Sequence, residues 1–295
     1  MELAFRGRFR QIHRVRWLAS LIVLLFCARA HAAGPASNPS FLGIEMTDSG
    51  MGCSIDSVTN CSPAQDAGLH FGDFIVAMDG KPLVDIRTSS GMQPQPCSAL
   101  RDRILQHSPG DVVTYDVQRG ASIAKLKVTL STRADVQHRC FVGKQPPAID
   151  LIDIDDHTRE SSLRELRGKT TVLGWFRLNR CSGCGAVFDR ITDGIDERVH
   201  ADIAPQVVGI TPYSENVDLP KRGGLIPSLP LWLAEERDFS DVTLRESDRI
   251  QVMVVDCHGV IQFVAPLAPG SEDLDATIDE VLAAVEQAEY SRTRR

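Results

Sequence analysis

Residues 171–191 read TVLGWFRLNRCSGCGAVFDRI, and this stretch decides the fold of the C-terminal half of the chain. An apolar run at 171–176 precedes Cys181 and Cys184, which are separated by two residues. Apolar residues then recur at helical spacing. They are Val187, Phe188, Ile191, Ile195 and Val199. The pattern predicts a buried strand, then a pair of cysteines at the start of an amphipathic helix.

The pair can cycle between dithiol and disulfide. We expect Cys181 at the helix N-terminus, where backbone N–H groups favour a thiolate. Cys181 is then the attacking nucleophile, and Cys184, one helical turn later, resolves the mixed disulfide. Arg180 is the predicted thiolate-stabilising residue, with Arg177 also nearby; alternatively, Arg180 is an exposed cation whose charge water and salt screen.

The first 32 residues have the composition of a signal peptide. A basic segment precedes a short apolar core at 17–26, and Ala30-His31-Ala32 offers a small-x-small cleavage site. We predict a signal peptide at 1–32 and a loose leader at 33–40, and hence export to a bacterial periplasm. If the signal is not cleaved, the same segment anchors the protein to a membrane. The basic segment contains Arg6, Arg8, Arg10, Arg14 and Arg16.

Charge argues against nucleic acid as a partner. The formal net charge is −7, and loss of the signal removes six Arg and one Glu, which gives −12. A surface this acidic repels phosphate groups.

Eight cysteines fall to seven when Cys27 leaves with the signal. Besides the pair at 181 and 184, four cysteines can form two further disulfides in three connectivities, which an oxidising compartment allows. We favour this structural role over a zinc site, because the sequence has no second CxxC. Cys257 is left over. The four are Cys53, Cys61, Cys97 and Cys140.

Residues 41–133 show the sequence patterns of strands, turns and a short helix. A strand is predicted at 54–58, a hairpin at 113–117 and 126–130, and a helix at 99–106. The sequences SPAQDAGL at 62–69 and FGDFIVAMDGKPL at 71–83, with SPGDV at 108–112, resemble PDZ domains of the bacterial HtrA type. No protease domain accompanies this unit in the sequence, so we do not expect an HtrA protease.

The PDZ resemblance implies a peptide-binding site. Phe41, Leu42, Gly43 and Ile44 match the carboxylate-binding loop and the start of the following strand. An extended peptide or the C-terminus of another protein is then expected to add as a strand beside 44–46, opposite the predicted helix. Residues 87–97 look like an insertion near the mouth of this groove.

A second resemblance begins after a polar linker at 134–141. The sequences VGKQPPAIDL at 142–151 and SLRELRGK at 162–169 lead into the strand, the CxxC and its helix. Strands follow at 206–210 and 251–255, a turn at 256–259 leads into a strand at 260–264, and a last helix spans 272–289. This order resembles thioredoxin-like proteins of the TlpA and peroxiredoxin (AhpC/TSA) superfamily.

The resemblances together imply the fold class. We expect an α/β thioredoxin-like domain at 142–290, with a central mixed sheet flanked by helices and a tail at 291–295. A small α+β PDZ-like domain at 41–133 precedes it.

The sequence departs from the thioredoxin pattern near the CxxC. Ile250 stands where these proteins carry a cis-proline; a non-proline cis bond costs about 3 kcal/mol, so Ile250 is expected to be trans. Trp175 and Val187 stand where relatives place acidic residues, and Arg180 replaces a Trp. Leu178 stands where a peroxiredoxin needs Thr. Without acidic residues at 175 and 187, the Cys184 thiol has no obvious proton acceptor in the sequence.

The sequence favours an exported thiol–disulfide oxidoreductase that needs no cofactor or metal. Its expected partners are disulfide-containing protein clients, a peptide or C-terminus at the PDZ-like groove, and an electron donor that nothing in the sequence names. Two alternatives stay open: a non-catalytic peptide-binding scaffold with a structural 181–184 bridge, and a peroxiredoxin-like thiol peroxidase. His200 and His258 are expected at the surface.

Overall fold

The fold is taken from a computed structural model, which describes residues 39–84, 95–156, 158–200, 203–213, 229–243 and 249–293. The predicted signal peptide, most of the leader and residues 87–94 of the predicted insertion lie outside the described residues. No helix in the described part of the protein is long and apolar enough to cross a membrane.

The first part of the protein forms an antiparallel sheet in the order β1-β2-β3-β5-β6, with the short β4 paired to β3. Alternate residues of β5, such as Val113, Tyr115 and Val117, are buried, as expected for a strand with one face on a core. The strands are β1 (Ile44–Ser49), β2 (Gly52–Val58), β3 (Phe74–Met78), β4 (Lys81–Pro82), β5 (Val112–Arg119) and β6 (Ser122–Thr129).

Two helices complete this α+β unit: α1 (Pro63–Asp66) and α2 (Pro96–Leu105). The second starts three residues earlier than predicted, because Pro96 occupies the first turn, where a missing N–H costs nothing. Leu100 and Ile104 point into the core, and α2 lies against β1 and β2. Strand β1 lies at one edge of the described sheet.

The predicted polar linker is a helix, α3 (Arg133–Phe141). Thr132 caps it: its hydroxyl accepts from the Asp135 N–H, and the Asp135 carboxylate accepts from the Thr132 N–H. Val136 and Gln137 are fully buried, because α3 packs against the strand Ile261–Leu267 of the second sheet. The connector is therefore part of the packed structure.

The second part of the protein is built on a seven-stranded mixed sheet in the order β13-β12-β9-β10-β11-β7-β8. Strands β9, β10 and β11 are parallel, and β12, β13, β7 and β8 pair antiparallel. The strands are β7 (Asp150–Asp153), β8 (Glu160–Ser162), β9 (Thr171–Trp175), β10 (Gln206–Tyr213), β11 (Leu231–Glu235), β12 (Ile250–Val255) and β13 (Ile261–Leu267).

Helices cover both faces of this sheet. The amphipathic α4 (Cys184–Arg198) and the final α6 (Leu274–Thr293) bury their apolar residues on one face. The short α5 (Glu236–Thr243) and the end of α3 cover the other face. The predicted thioredoxin-like fold with a preceding PDZ-like unit is confirmed.

Several predicted boundaries shift. The strand predicted at 206–210 extends to Tyr213, and the last helix runs to Thr293, into the predicted tail. The turn at 256–259 joins β12 to β13 as expected, with Gly259 at φ 79°.

Candidate functional site

Cys181 and Cys184 are joined by a disulfide directly before α4. Cys184 is the first residue of the helix and is 2% exposed, whereas Cys181 is partly exposed. A cavity of about 130 Å³ adjoins both cysteines, and Phe176 and Leu178 line it. Reagents from solution can therefore approach the first sulfur while the second stays covered.

The helix begins later than the sequence suggested. We expected Cys181 at the helix N-terminus and Cys184 one turn on, but α4 starts at Cys184 and Gly183 is its N-cap. Gly183 has φ 92°, which disfavours any residue with a side chain. Cys181 lies in the turn before the helix, and its sulfur reaches the helix start through the disulfide.

The two arginines before the CxxC motif, Arg177 and Arg180, have different surroundings. Arg177 donates from both terminal nitrogens to Glu236 at the start of α5, at 3.0 Å for Nη1 to Oε2, and lies over the Phe239 ring. The hydrogen bonds from Arg177 hold the pKa of Glu236 below its usual range, and the charge of Arg180 acts in the same direction. Arg180 itself is exposed. Its effect on the Cys181 thiolate stays a prediction.

Ile250, at the cis-proline position, is the first residue of β12 and is fully buried. It belongs to the same apolar cluster as Cys184. The described residues contain no cis peptide bond. Ile250 thus belongs to the apolar core that also holds Cys184, and how a client docks at this position stays a prediction.

The two positions that carry acids in relatives have apolar surroundings in this protein. Val187 packs in the cluster of Cys184. Trp175 packs on the opposite face of the sheet, 6.1 Å from Phe239 between ring centroids, and its Nε1 is buried without a hydrogen-bond partner among the described residues. The described residues lining the cavity beside the cysteines include no Asp, Glu or His.

A second candidate site is the edge strand β1, which lies beside α2, where the sequence predicts a peptide groove. The Phe41 N–H donates to the Ser131 carbonyl at 2.8 Å, and the Gly43 carbonyl accepts from the Thr59 N–H at 2.9 Å, so the 41–44 loop is fixed at both ends. Gly43 has φ 85°, and a Cβ there would lie 2.2 Å from the Ser62 Cβ. Leu42 is buried in the core. Peptide binding by Phe41, Leu42, Gly43 and Ile44 stays a prediction.

A disulfide fixes the far end of the groove. Cys53 of β2 is bonded to Cys97 of α2, and both side chains are buried. The Cys97 N–H also donates to the Asp48 Oδ1 of β1 at 2.8 Å. The helix start is therefore held to β2 by a covalent bond and to β1 by a hydrogen bond.

The remaining predicted pair joins the connector helix to the PDZ-like unit. Cys61 is bonded to Cys140 of α3, and Arg139 pairs with Asp66 at 2.8 Å. Of the three connectivities that the sequence allowed, the structure therefore has the one with bonds 53–97 and 61–140. The described residues hold no group of three or more His, Cys, Asp or Glu suited to a metal ion.

Cys257 is a free thiol in the β12–β13 turn, and His200 and His258 are exposed, as expected. Sequence reasoning missed the buried contact of Gln137 on α3 with Gln251 on β12. The Thr132–Asp135 capping pattern was the signal that could have revealed this helix.

Comparison with known proteins gives a family match for the first part of the protein. The family model of the PDZ domain matches residues 40–130. No curated protein is significantly similar to this one. The solved HtrA3 PDZ domain bound to a phage-derived ligand (FGRWV) is 26% identical; the match spans 31% of this protein and 85% of that domain, with a TM-score of 0.25.

Other solved structures are similar over longer stretches. A candidate protein disulfide isomerase from Bacteroides thetaiotaomicron is 17% identical; the match spans 51% of this protein and 94% of that one, with a TM-score of 0.38. A serine endoprotease from Yersinia pestis is 18% identical over 40% of this protein, with a TM-score of 0.26, and the match spans only 36% of that enzyme.

The protein thus combines a PDZ domain with a thioredoxin-like domain. The PDZ assignment rests on the family model and on the edge strand β1 beside α2. The thioredoxin-like assignment rests on the strand order and on the cysteine pair between β9 and α4.

Proposed function

We propose that this protein is an exported thiol–disulfide oxidoreductase whose PDZ domain recruits a peptide or protein client. The observation that carries the proposal is the unequal exposure of the two cysteines. Cys181 is reachable beside a small cavity, and Cys184 is covered at the first position of α4. An attacking thiol must meet its client, whereas a resolving thiol needs to meet only its partner cysteine.

The proposed reaction starts from the dithiol. The Cys181 thiolate attacks one sulfur of a client disulfide; a Cys181–client bond forms and one client thiolate leaves. The Cys184 thiolate then attacks the Cys181 sulfur, which releases the second client thiolate and forms the 181–184 disulfide. The client is reduced by two electrons and the protein is oxidised by two. The reverse sequence oxidises a client dithiol.

The α4 N-terminus supports the second step. The backbone N–H groups of the first turn of a helix favour a negative charge, and Cys184 is in that turn. This effect favours the Cys184 thiolate without a nearby carboxylate. Arg180 is proposed to support the Cys181 thiolate in the same way through its charge.

The test is trapping on a defined disulfide. In a Cys257→Ser background, reduced Cys184→Ser protein is mixed with a short disulfide-linked peptide, and adducts are located by mass spectrometry. We expect a lasting adduct on Cys181. The background protein should instead end with a 181–184 disulfide, and a matched Cys181→Ser variant should form no adduct. Failure of Cys184→Ser to form any adduct would contradict the proposal.

A second candidate is a peptide-binding scaffold in which the 181–184 disulfide is structural. It is favoured by the apolar core that contains Cys184, Ile250 and Val187, and by the absence of acidic residues from the described cavity lining. A disulfide that resists reduction would support this candidate.

Export is also part of the proposal. It rests on the sequence of residues 1–32, which has the composition of a signal peptide. If this segment is not cleaved, it anchors the protein to a membrane. N-terminal sequencing of protein from a periplasmic fraction tests it: a start at Ala33 supports cleavage, and a start at Met1 in the membrane fraction supports the anchor.

A further inference from the structure

We propose that the Cys61–Cys140 disulfide is a second thiol-exchange site, which a dithiol opens, and that its opening weakens ligand binding at the 41–44 loop. The inference rests on the proposed peptide recruitment. It adds a redox control of that recruitment by a bond that lies outside the CxxC motif.

The disulfide is accessible from a cavity. Cys61 and Cys140 are both partly exposed, and both line a cavity of about 440 Å³ in the described part of the protein. The end of β2, the end of α3 and the side of α5 form its other walls. In contrast, Cys53 and Cys97 are buried in the core of the PDZ domain. A small dithiol can therefore reach the first bond while the second stays covered.

The backbone at Cys61 is held in a conformation that residues with a side chain rarely adopt. Its φ is 57°, in the left-handed region. The disulfide to Cys140 restrains it, and its carbonyl accepts from the Arg139 guanidinium. Its N–H donates to the Gln65 Oε1 at 2.7 Å. Such a conformation persists only while its surroundings enforce it. Opening the disulfide removes the one covalent restraint from the Cys61 side chain.

Movement is expected on the PDZ side of the bond. Cys140 belongs to α3, whose Val136 and Gln137 are buried and whose Gln137 is bonded to the second sheet. Cys61 lies in the short turn between β2 and α1. The helix is therefore the fixed partner, and relaxation follows at Cys61.

The turn that contains Cys61 also holds the predicted peptide-binding loop. The Thr59 N–H donates to the Gly43 carbonyl at 2.9 Å, and the Ser62 hydroxyl donates to the same carbonyl at 3.4 Å. A Cβ at Gly43 would lie only 2.2 Å from the Ser62 Cβ, so the loop and the turn are in close contact. A shift at Cys61 therefore moves the groups on both sides of it that hold Gly43.

These contacts set the direction of the N–H groups in the loop. A peptide unit is planar, so a carbonyl that is held by a hydrogen bond also orients the N–H of the next residue. The bonds to the Gly43 carbonyl orient the Ile44 N–H in this way. The Ala64 N–H donates to the Leu42 carbonyl at 3.0 Å and so orients the Gly43 N–H. These N–H groups belong to the loop that is proposed to hold a ligand carboxylate.

Opening the bond takes two exchange steps. One thiolate of the dithiol attacks a sulfur of the 61–140 disulfide; a mixed disulfide forms, and the other cysteine leaves as a thiolate. The second thiolate of the dithiol then attacks the mixed disulfide, which releases the first cysteine and closes the reagent as a cyclic disulfide. The protein gains two electrons and the dithiol loses two. The two protons that the dithiol gives up end on the two cysteines.

The first measurement compares the rates at which two disulfides open in one protein. The full mature protein carries Cys181→Ser, Cys184→Ser and Cys257→Ser, which leaves only the cysteines of the 61–140 and 53–97 bonds. Samples taken during incubation with dithiothreitol are alkylated and mapped by mass spectrometry. We expect the 61–140 bond to open roughly tenfold faster or more, because access limits attack by a thiolate. Opening of both bonds at the same rate would overturn the inference.

The second measurement is the affinity for a fluorescent decapeptide that ends in Val, determined by polarisation before and after the 61–140 bond is opened. We expect binding to become roughly threefold to tenfold weaker, the effect of losing about one hydrogen bond at the loop. Removal of the dithiol and reoxidation should restore the affinity. Circular dichroism should not change when the bond opens. Unfolding of the domain would make the bond a structural staple and would also overturn the inference.

A variant and a matched control complete the test. Cys61→Ser/Cys140→Ser in the same background should bind the peptide as weakly as the opened protein and should not respond to dithiothreitol. Asp66→Asn keeps the disulfide but removes the exposed Arg139–Asp66 ion pair, a second link to α3, and its affinity should stay within about twofold. Equal binding by the oxidised and opened forms would overturn the inference while leaving peptide recruitment standing. Binding by neither form would overturn both.

Discussion

At the scale of single residues, the difference between Cys181 and Cys184 follows from where the helix begins. Because Gly183 adopts a left-handed conformation, the backbone turns sharply and places Cys184 inside the first turn of α4. Cys181 stays outside the helix, against the edge of the apolar cluster. This arrangement supports the proposal that the first cysteine attacks the client and the second resolves the mixed disulfide.

Asp73 gives the clearest prediction of pH dependence. Burial raises the pKa of its carboxyl, but hydrogen bonds from Arg119 and from the His70 N–H outweigh burial and leave the pKa below its usual value. A pKa lowered by folding stabilises the protein above the unfolded value of about 3.9, and this stabilisation is lost as the pH falls through the folded pKa.

Asp73→Asn is therefore expected to lower the free energy of unfolding by about 1–3 kcal/mol at pH 7. The difference from the unmodified protein should shrink as the pH falls below about 4, because Asp73 itself becomes protonated. Urea unfolding at several pH values measures this. The control is Asp116→Asn, whose partner Lys125 is exposed, and it should cost less than about 1 kcal/mol. Equal costs for the two variants would contradict the assignment.

At the scale of elements, the connector helix α3 joins the two domains. Its Gln137 side chain donates to Gln251 of β12, and both side chains are buried. Gln137 Oε1 and Gln251 Nε2 have no hydrogen-bond partner within the described residues. This contact is thus a buried polar link between α3 and β12.

A double-mutant cycle tests this link. Gln137→Leu or Gln251→Leu alone leaves a buried amide without its partner, and each is expected to cost about 1–3 kcal/mol. The double variant removes both amides and should cost less than the sum of the single changes. Urea unfolding of the unmodified protein, the two single variants and the double variant gives the coupling free energy between the two side chains. Strict additivity would show that the hydrogen bond does not contribute.

Sequence patterns predicted the elements whose signals are local. The strand before Cys181, the amphipathic α4 and the 256–259 turn each have a clear periodic or turn signal. The connector helix was missed because its composition is polar and only two of its residues, Val136 and Gln137, are fully buried. Strand β11 was not predicted; its side chains are buried because each of its two faces packs in a core cluster of the sheet.

The pairing of the other four cysteines could not be predicted from the sequence either. The cysteine positions allowed three connectivities, and only tertiary structure brings Cys53 to Cys97 and Cys61 to Cys140. The CxxC position was predictable because both cysteines lie close together in the sequence. The start of α4 at Cys184 was not, because it depends on the local conformation of Gly183.

At the scale of the whole molecule, the Cys61–Cys140 disulfide bonds the PDZ domain to a helix that is packed on the thioredoxin-like sheet. The bond closes a loop with a sequence separation of 79 residues. A Cys61→Ser/Cys140→Ser variant is expected to lose about 2–4 kcal/mol of stability. Its 181–184 redox midpoint should not change, since the two bonds lie in different parts of the fold.

Urea unfolding and redox titration of this variant test both expectations, with Cys257→Ser as the control for loss of a sulfur group. Unchanged stability would show that the disulfide does not constrain the unfolded protein. A shifted midpoint would show that the two sites are coupled.

The central claim is that the Cys181–Cys184 pair exchanges electrons with clients. The most direct measurement is a redox titration of the mature protein in graded thiol buffers, with alkylation and mass spectrometry reporting each disulfide separately. The buried Cys53–Cys97 bond serves as an internal reference and should stay oxidised throughout. We predict a midpoint for Cys181–Cys184 between about −120 and −270 mV, the span of exchange proteins. A pair that stays oxidised below about −300 mV, or whose reduction unfolds the domain, would contradict the oxidoreductase proposal and favour the scaffold.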